Sequence, residues 1–201
     1  MQHPKLKLNS LDQLTKLLLK KIKSNQSNRL MVCIAGAPGS GKSYISSNLL
    51  KKINFIRQQS EIFEMDGFHY DDVILKKKKL IKRKGSQQTF DVMGLKSFLQ
   101  RLKTNNEVQV TVPIFDRKLE LSRGSAKIIK NTIPLIITEG NYLLLKQKPW
   151  SELQSYFDLT IMIKSSQKNL SKRLTERWKS FNYSKDIIKQ KVFENDLHNA
   201  R

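Results

Sequence analysis

Apolar residues recur along the chain in two rhythms. Leu11, Leu14, Leu18 and Ile22 line one face of a helix, and Ile45, Leu49, Leu50 and Ile53 line a second, at a three-to-four residue spacing. Leu95, Phe98, Leu99 and Leu102 mark a third helix, capped by Asp91. Leu170, Leu174, Trp178 and Phe181 mark a fourth, and a last helix begins near Ser184. Between the helices stand strand-length runs: residues 29–36 are nearly all apolar, as expected of a strand covered on both faces, and 61–66, 133–140 and 158–164 read as further strands. Residues 108–116 alternate like a strand, and 126–131 suit a short one. Strands alternating with helices predict an α/β domain with a mostly parallel sheet flanked by helices. Such a sheet binds ligands beyond the carboxyl ends of its strands, where Asp66, Asp116 and Glu139 fall, so these three acids are expected to converge on one crevice.

The first strand runs into GAPGSGKS, residues 36–43, and a helix follows at once, the context in which G-x-x-x-x-G-K-[ST] binds phosphate. Gly36, Ala37, Pro38, Gly39, Ser40 and Gly41 can wrap so that main-chain N–H groups face phosphate oxygens, backed by the positive end of the helix dipole. Lys42 is placed to bridge the β- and γ-phosphates, Ser43 to offer its hydroxyl to magnesium, and Tyr44 ends the nucleotide-binding stretch. Phosphoryl transfer to an alcohol also requires a carboxylate for the hydroxyl proton and a second acid to order the metal. Asp66 closes the second strand beside Gly67, whose missing side chain leaves room for a substrate, and Glu139 closes the strand 133–140 where a Walker B acid belongs.

Charge changes this picture little. Lys and Arg number 38 against 17 Asp and Glu, a net +21 that would attract a polyanion. The excess is spread from Lys5 to Lys191 without interleaved aromatics, so nucleic-acid binding is disfavoured as the main function, and ILKKKKLI (residues 74–81) is expected to be a solvated helix face. The 201 residues suit a single domain, with no linker-like stretch dividing them. One cysteine, Cys33, lies inside an apolar run, as a buried thiol in a reducing cytoplasm would. No apolar segment approaches the roughly 20 residues that span a bilayer, and the N-terminus lacks the apolar core of a secretory signal. Ser10 and Gln13 form a capping-box pattern with Asp12 in the first turn, which favours a helix within residues 1–28 that packs on the domain over one that lies on a membrane.

GAPGSGKS, EMDGFHYDD, RKGSQQTFD, IFDRKLE, ITEGNYLLL and NDLHNA occur in this order. In that order the chain resembles P-loop kinases of the phosphoribulokinase, uridine kinase and pantothenate kinase superfamily, from about Arg29 to Ala200. Within it the resemblance is nearest to the bacterial nucleoside/nucleotide-kinase-like branch labelled fructose transport system kinase. The resemblance implies a P-loop NTPase fold with a helical lid around 165–183, and magnesium-dependent transfer from ATP to an alcohol. It implies that Asp66 is the general base and that Glu139 acts through the metal, with Ser43 as direct ligand. It puts Arg83, Lys84, Phe115, Asp116 and Arg117 around the acceptor, an anionic or polyhydroxylated small molecule gripped by Arg83 and Arg117. His69 and Tyr70, next to the base, and Asn141 within ITEGNYLLL join that set. Arg173 and Arg177, four apart on one helix face, correspond to lid arginines that close over the transferring phosphate.

Two departures stand out. Tyr44 replaces the Thr common after the P-loop Ser, and relatives continue beyond NDLHNA into a final strand and loop that help frame the adenine, so the base pocket is expected to be incomplete, unusually open, or finished by a second subunit in a homodimer. The competing readings are a polyanion-binding P-loop NTPase and a nucleotide-binding relic without transfer activity.

Overall fold

A computed structural model describes residues 10–24, 29–55 and 59–200. Four strands form a parallel sheet: β1 (Leu30–Gly36), β2 (Ser60–Glu64), β5 (Leu135–Gly140) and β6 (Leu159–Ile163), in the order β2-β5-β1-β6. Helices α1 (Leu11–Ser24) and α2 (Lys42–Ile53) cover one face, where Leu14, Leu18 and Leu49 pack on Val32, Ile34 and Ile137. Helix α4 (Val92–Thr104) covers the other, bringing Leu95, Leu99 and Leu102 onto Met31, Cys33 and Phe63. Burial from both sides is why β1 reads as an unbroken apolar run, whereas β2 carries Glu61 and Glu64 and β6 is partly exposed. Each such side chain contributes about 1.5–3 kcal/mol when fully buried.

The helix caps match the sequence. The Ser10 hydroxyl accepts from Gln13 N at 3.2 Å, and the Asp91 carboxylate accepts from Gly94 N at 2.9 Å. Lys52 reaches from α2 to Asp12 of α1 at 2.7 Å. Of the expected N-terminal unit, residues 1–9 and 25–28 lie outside the described residues. Helix α3 (Asp72–Lys77) buries Leu75 and leaves Lys76, Lys77, Lys78 and Lys79 exposed, the solvated face anticipated for this run. Among the described residues no helix is long and apolar enough to cross a membrane.

One expectation fails. The strand at 108–116 does not join the parallel sheet; β3 (Gln109–Asp116) pairs antiparallel with β4 (Leu121–Lys130) in a separate two-stranded sheet. A four-residue connection, with Glu120 at φ 53°, is far too short for the crossover that a parallel neighbour needs. Residues 126–130 of the run expected at 126–131 form the second half of the ten-residue β4, and Asn131 lies in the turn after it. Helix α5 (Gln167–Ser180) stops just before Phe181, which is half-exposed, while Leu170, Leu174 and Trp178 are buried as expected.

Arg29 joins the layers. It is buried, and its guanidinium donates to Leu102 O at the end of α4, Lys130 O at the end of β4 and Ile133 O before β5, at 2.6–3.1 Å. Burial lowers its pKa to about 10, so it stays charged at neutral pH. Arg29→Met is expected to lower unfolding stability by about 3 kcal/mol, since three buried carbonyls lose a charged donor. Urea unfolding at pH 7 measures this, and a loss below about 1 kcal/mol would show that water replaces the guanidinium.

Candidate active site

Residues 36–43 wrap around the N-terminus of α2. Gly39 and Gly41 take positive φ (73° and 99°), and a Cβ on Gly36 would stand 2.7 Å from Ser40 Oγ and 2.8 Å from Ile163 O, so the close wrap needs glycine there. The turn ends with open main-chain N–H groups at the start of a helix, a geometry that suits phosphate. Lys42 folds back across it, donating to Ala37 O at 3.1 Å and Asn141 Oδ1 at 2.7 Å. Burial lowers the Lys42 pKa, while the charges of Asp66 and Glu139 pull it back up.

Ser43 Oγ donates to Glu139 Oε1 at 2.9 Å, and Glu139 Oε2 is buried with no hydrogen-bond partner. Glu64 stands beside it, since β2 and β5 pair Glu64 with Glu139 in register. Burial raises both carboxyl pKa values, with neighbouring acids adding to the effect. Asp66 follows on a tight turn, Met65–Phe68, directly after β2. Burial would raise its pKa, but the charges of His69, Arg117, Lys42 and Arg177 outweigh burial and hold it below the ordinary value. Arg117 donates to Asp66 Oδ2 at 2.7 Å.

Two cavities open here. One, of about 250 Å³, lies over the P-loop and is bordered by Gly41, Lys42, Ser43, Tyr44, Glu139 and Arg173, among others. The second, of about 400 Å³, is bordered by His69, Arg83, Phe115 and Trp178 and by the segment 187–199. Pro38, Asp66, Arg117, Asn141 and Arg177 border both.

A crystal structure of a "putative fructose transport system kinase" from Silicibacter sp. TM1040 superposes with a TM-score of 0.88 at 32% identity, over 96% of this chain and 93% of that one. The chain belongs to the P-loop kinase superfamily of phosphoribulokinase, uridine kinase and pantothenate kinase. Over 158 residues it is 30% identical to "Putative uridine kinase C227.14" of Schizosaccharomyces pombe, covering 76% of this chain and 66% of that protein. It is also 25% identical to pantothenate kinase of Enterococcus faecalis, covering 74% of this chain and 49% of that protein. The chain thus spans about two thirds of the first of these curated relatives and about half of the second. No family model matches it.

In this member of the superfamily several expected site residues sit where the motifs put them, and others do not. Arg173 donates to Ser40 O at 3.1 Å from above the loop, and Arg177 borders both cavities with its guanidinium 5.6 Å from the Trp178 ring centre. His69 is held between the rings of Phe90 and Phe115, and its Nδ1 donates to Asp66 O at 2.8 Å. A carbonyl only accepts, so the proton sits on Nδ1 and Nε2 can accept from a ligand. Tyr44 is 74% exposed at the rim of the P-loop cavity.

Asp116 does not converge with the other acids. Its carboxylate accepts from Lys118 N and Leu119 N and pairs with Arg123, stabilising the β3–β4 turn outside both cavities. Glu64 occupies the place in the crevice expected of it. Gly67 packs against β3, where a Cβ would come 2.5 Å from Pro113 O, so its missing side chain makes room for protein and not for substrate. Tyr70 borders neither cavity and lies under Lys78. Arg83 reaches the second cavity, but its guanidinium donates to Glu194 O and Asn199 Oδ1. Lys84 is tied to Asp72 at 2.7 Å and to Glu120 O. Both cations therefore brace walls of that cavity.

Proposed function

We propose that this chain is an ATP-dependent small-molecule kinase that moves the γ-phosphate to an alcohol group of a metabolite. The observation that carries this reading is the junction: a P-loop cavity and a second, larger cavity meet at Asp66, with Arg117, Arg177 and Asn141 around it. A hydrolase needs one cavity and a water, whereas a transferase needs a donor and an acceptor site that share a carboxylate.

The residues fit a magnesium–nucleotide. Ser43 Oγ and Glu139 are hard oxygen donors of the kind magnesium takes, and Glu139 Oε2 is buried with no partner of its own. The wrapped glycines and the N-terminus of α2 fit phosphate oxygens, with Lys42 alongside. When bound, ATP supplies the phosphoryl group and magnesium screens the charge of its oxygens. The protein then has three tasks. Asn141 orients Lys42 toward the loop. Asp66, kept ionised by surrounding cations, accepts the acceptor's hydroxyl proton. Arg173 and Arg177 bring positive charge over the loop from α5, where it can offset charge in the transition state. His69 Nε2 accepts from a second hydroxyl of the acceptor, which favours a polyhydroxylated molecule.

A magnesium–ATP depletion screen over sugars, nucleosides, pantothenate and small hydroxy acids tests the proposal. ATP should disappear only with magnesium and a matching acceptor, yielding ADP and a phosphorylated product in equal amounts. ATP loss that needs no acceptor, or that responds only to RNA or DNA, would replace the kinase with a P-loop NTPase.

A further inference from the structure

Arg117 stands on the turn between β3 and β4 and borders both cavities, yet its guanidinium is committed to Asp66 Oδ2. Four other cations nearby are engaged elsewhere. Lys42 is held by Ala37 O and Asn141, and Arg173 by main-chain oxygens of the P-loop. Arg83 holds the segment 194–199, and Lys84 holds Asp72. Among these five, Arg117 is the one whose partner is the carboxylate assigned as base.

That pairing has two effects. A guanidinium against Asp66 reduces its appetite for a proton, which weakens it as a base. The charges of Arg117, Lys42 and Arg177 also act on one another around the P-loop cavity, so they repel until an anion arrives. Phosphate oxygens suit the guanidinium fork better than a single carboxylate oxygen does. The Arg117 side chain is 40% exposed and lies 5.7 Å from the Phe115 ring centre, on a short turn, so a change of rotamer disturbs no packed core.

We propose that Arg117 is a latch that reads the γ-phosphate of ATP. It holds Asp66 while the nucleotide site is empty or carries a diphosphate, and it passes to the γ-phosphoryl oxygens when a triphosphate binds. Asp66 is then released for the acceptor's hydroxyl, so the base becomes available only when there is a phosphoryl group to transfer. This rests on the kinase reading above, and it moves Arg117 from the acceptor to the phosphate.

The test needs no acceptor. Calorimetry compares magnesium–ADP with a magnesium complex of a non-hydrolysable ATP analogue, in wild type, Arg117→Met and Arg117→Lys. Arg117→Met should weaken the analogue at least about tenfold and leave ADP unchanged, and Arg117→Lys should recover part of the loss. Retained ADP binding shows that the variants fold. Unchanged affinity for both nucleotides would assign Arg117 to the acceptor and overturn the latch, as would an equal loss for both. In wild type, the 13C resonance of the Asp66 carboxyl should move with the analogue and stay in place with ADP; no movement overturns the latch as well. A wild-type protein that binds neither nucleotide would instead refute the kinase reading itself.

Discussion

Asp66→Asn is expected to slow phosphoryl transfer about a thousandfold while magnesium–ADP affinity stays unchanged. The amide keeps the size of the side chain and can still accept from Arg117, but it cannot take a proton from an alcohol. The P-loop and Lys42 do not depend on it for their shape, since Lys42 is fixed by Ala37 O and Asn141. Acidity gives a second view. The cations around Asp66 hold its pKa below the ordinary value, and a base works above its pKa. The loss of transfer that comes from protonating Asp66 should therefore appear only below the usual carboxylate range, and any decline within or above it should come from Glu139, whose carboxyl pKa burial raises. Steady-state assays with an acceptor from the depletion screen, set against calorimetry with ADP, measure both parts. Normal transfer by Asp66→Asn would remove Asp66 as the base.

Lys42→Met should be nearly as damaging, in a different way. It should lower transfer by about 100- to 1000-fold and weaken triphosphate binding as well, because the same charge meets the phosphates before and during transfer. Met fills similar space, so the packing beneath the loop survives, while Asn141 Oδ1 loses its donor. Burial also lowers the Lys42 pKa, so wild-type affinity for ATP should start to fall with rising pH before an ordinary lysine would lose its proton. Equilibrium binding across alkaline pH shows this, and a pH-independent Kd up to the usual lysine range would contradict it.

Much of this site is local in sequence, and those parts were legible. The loop 36–43 lies in one stretch, and its strand and helix follow from periodicity alone. Asp66 and Glu139 could be placed because each ends a buried strand of the parallel sheet. Asp116 ends a strand too, but nothing in its alternation says that the next strand doubles back, and direction is set by the four residues that follow. Glu64 was missed because the strand carries a second glutamate, Glu61, and nothing local tells the two apart; only the register with Glu139 shows what Glu64 faces. Arg83 resembled a free anion-binding cation because its partners Glu194 and Asn199 lie more than 100 residues on, while Lys84 pairs with Asp72 across a turn that periodicity does not reveal.

That last separation orders the protein in time as well as in space. Everything that borders the P-loop cavity has been synthesised once Arg177 leaves the ribosome. The wall supplied by residues 187–199 comes last among the described residues, and it closes only when Asn195 reaches Lys84 O and Arg83 finds Glu194 O and Asn199. A nascent chain can therefore assemble its P-loop cavity before the second cavity has all of its walls. The cavity over the P-loop is thus complete in sequence before the last wall of the second cavity has been made.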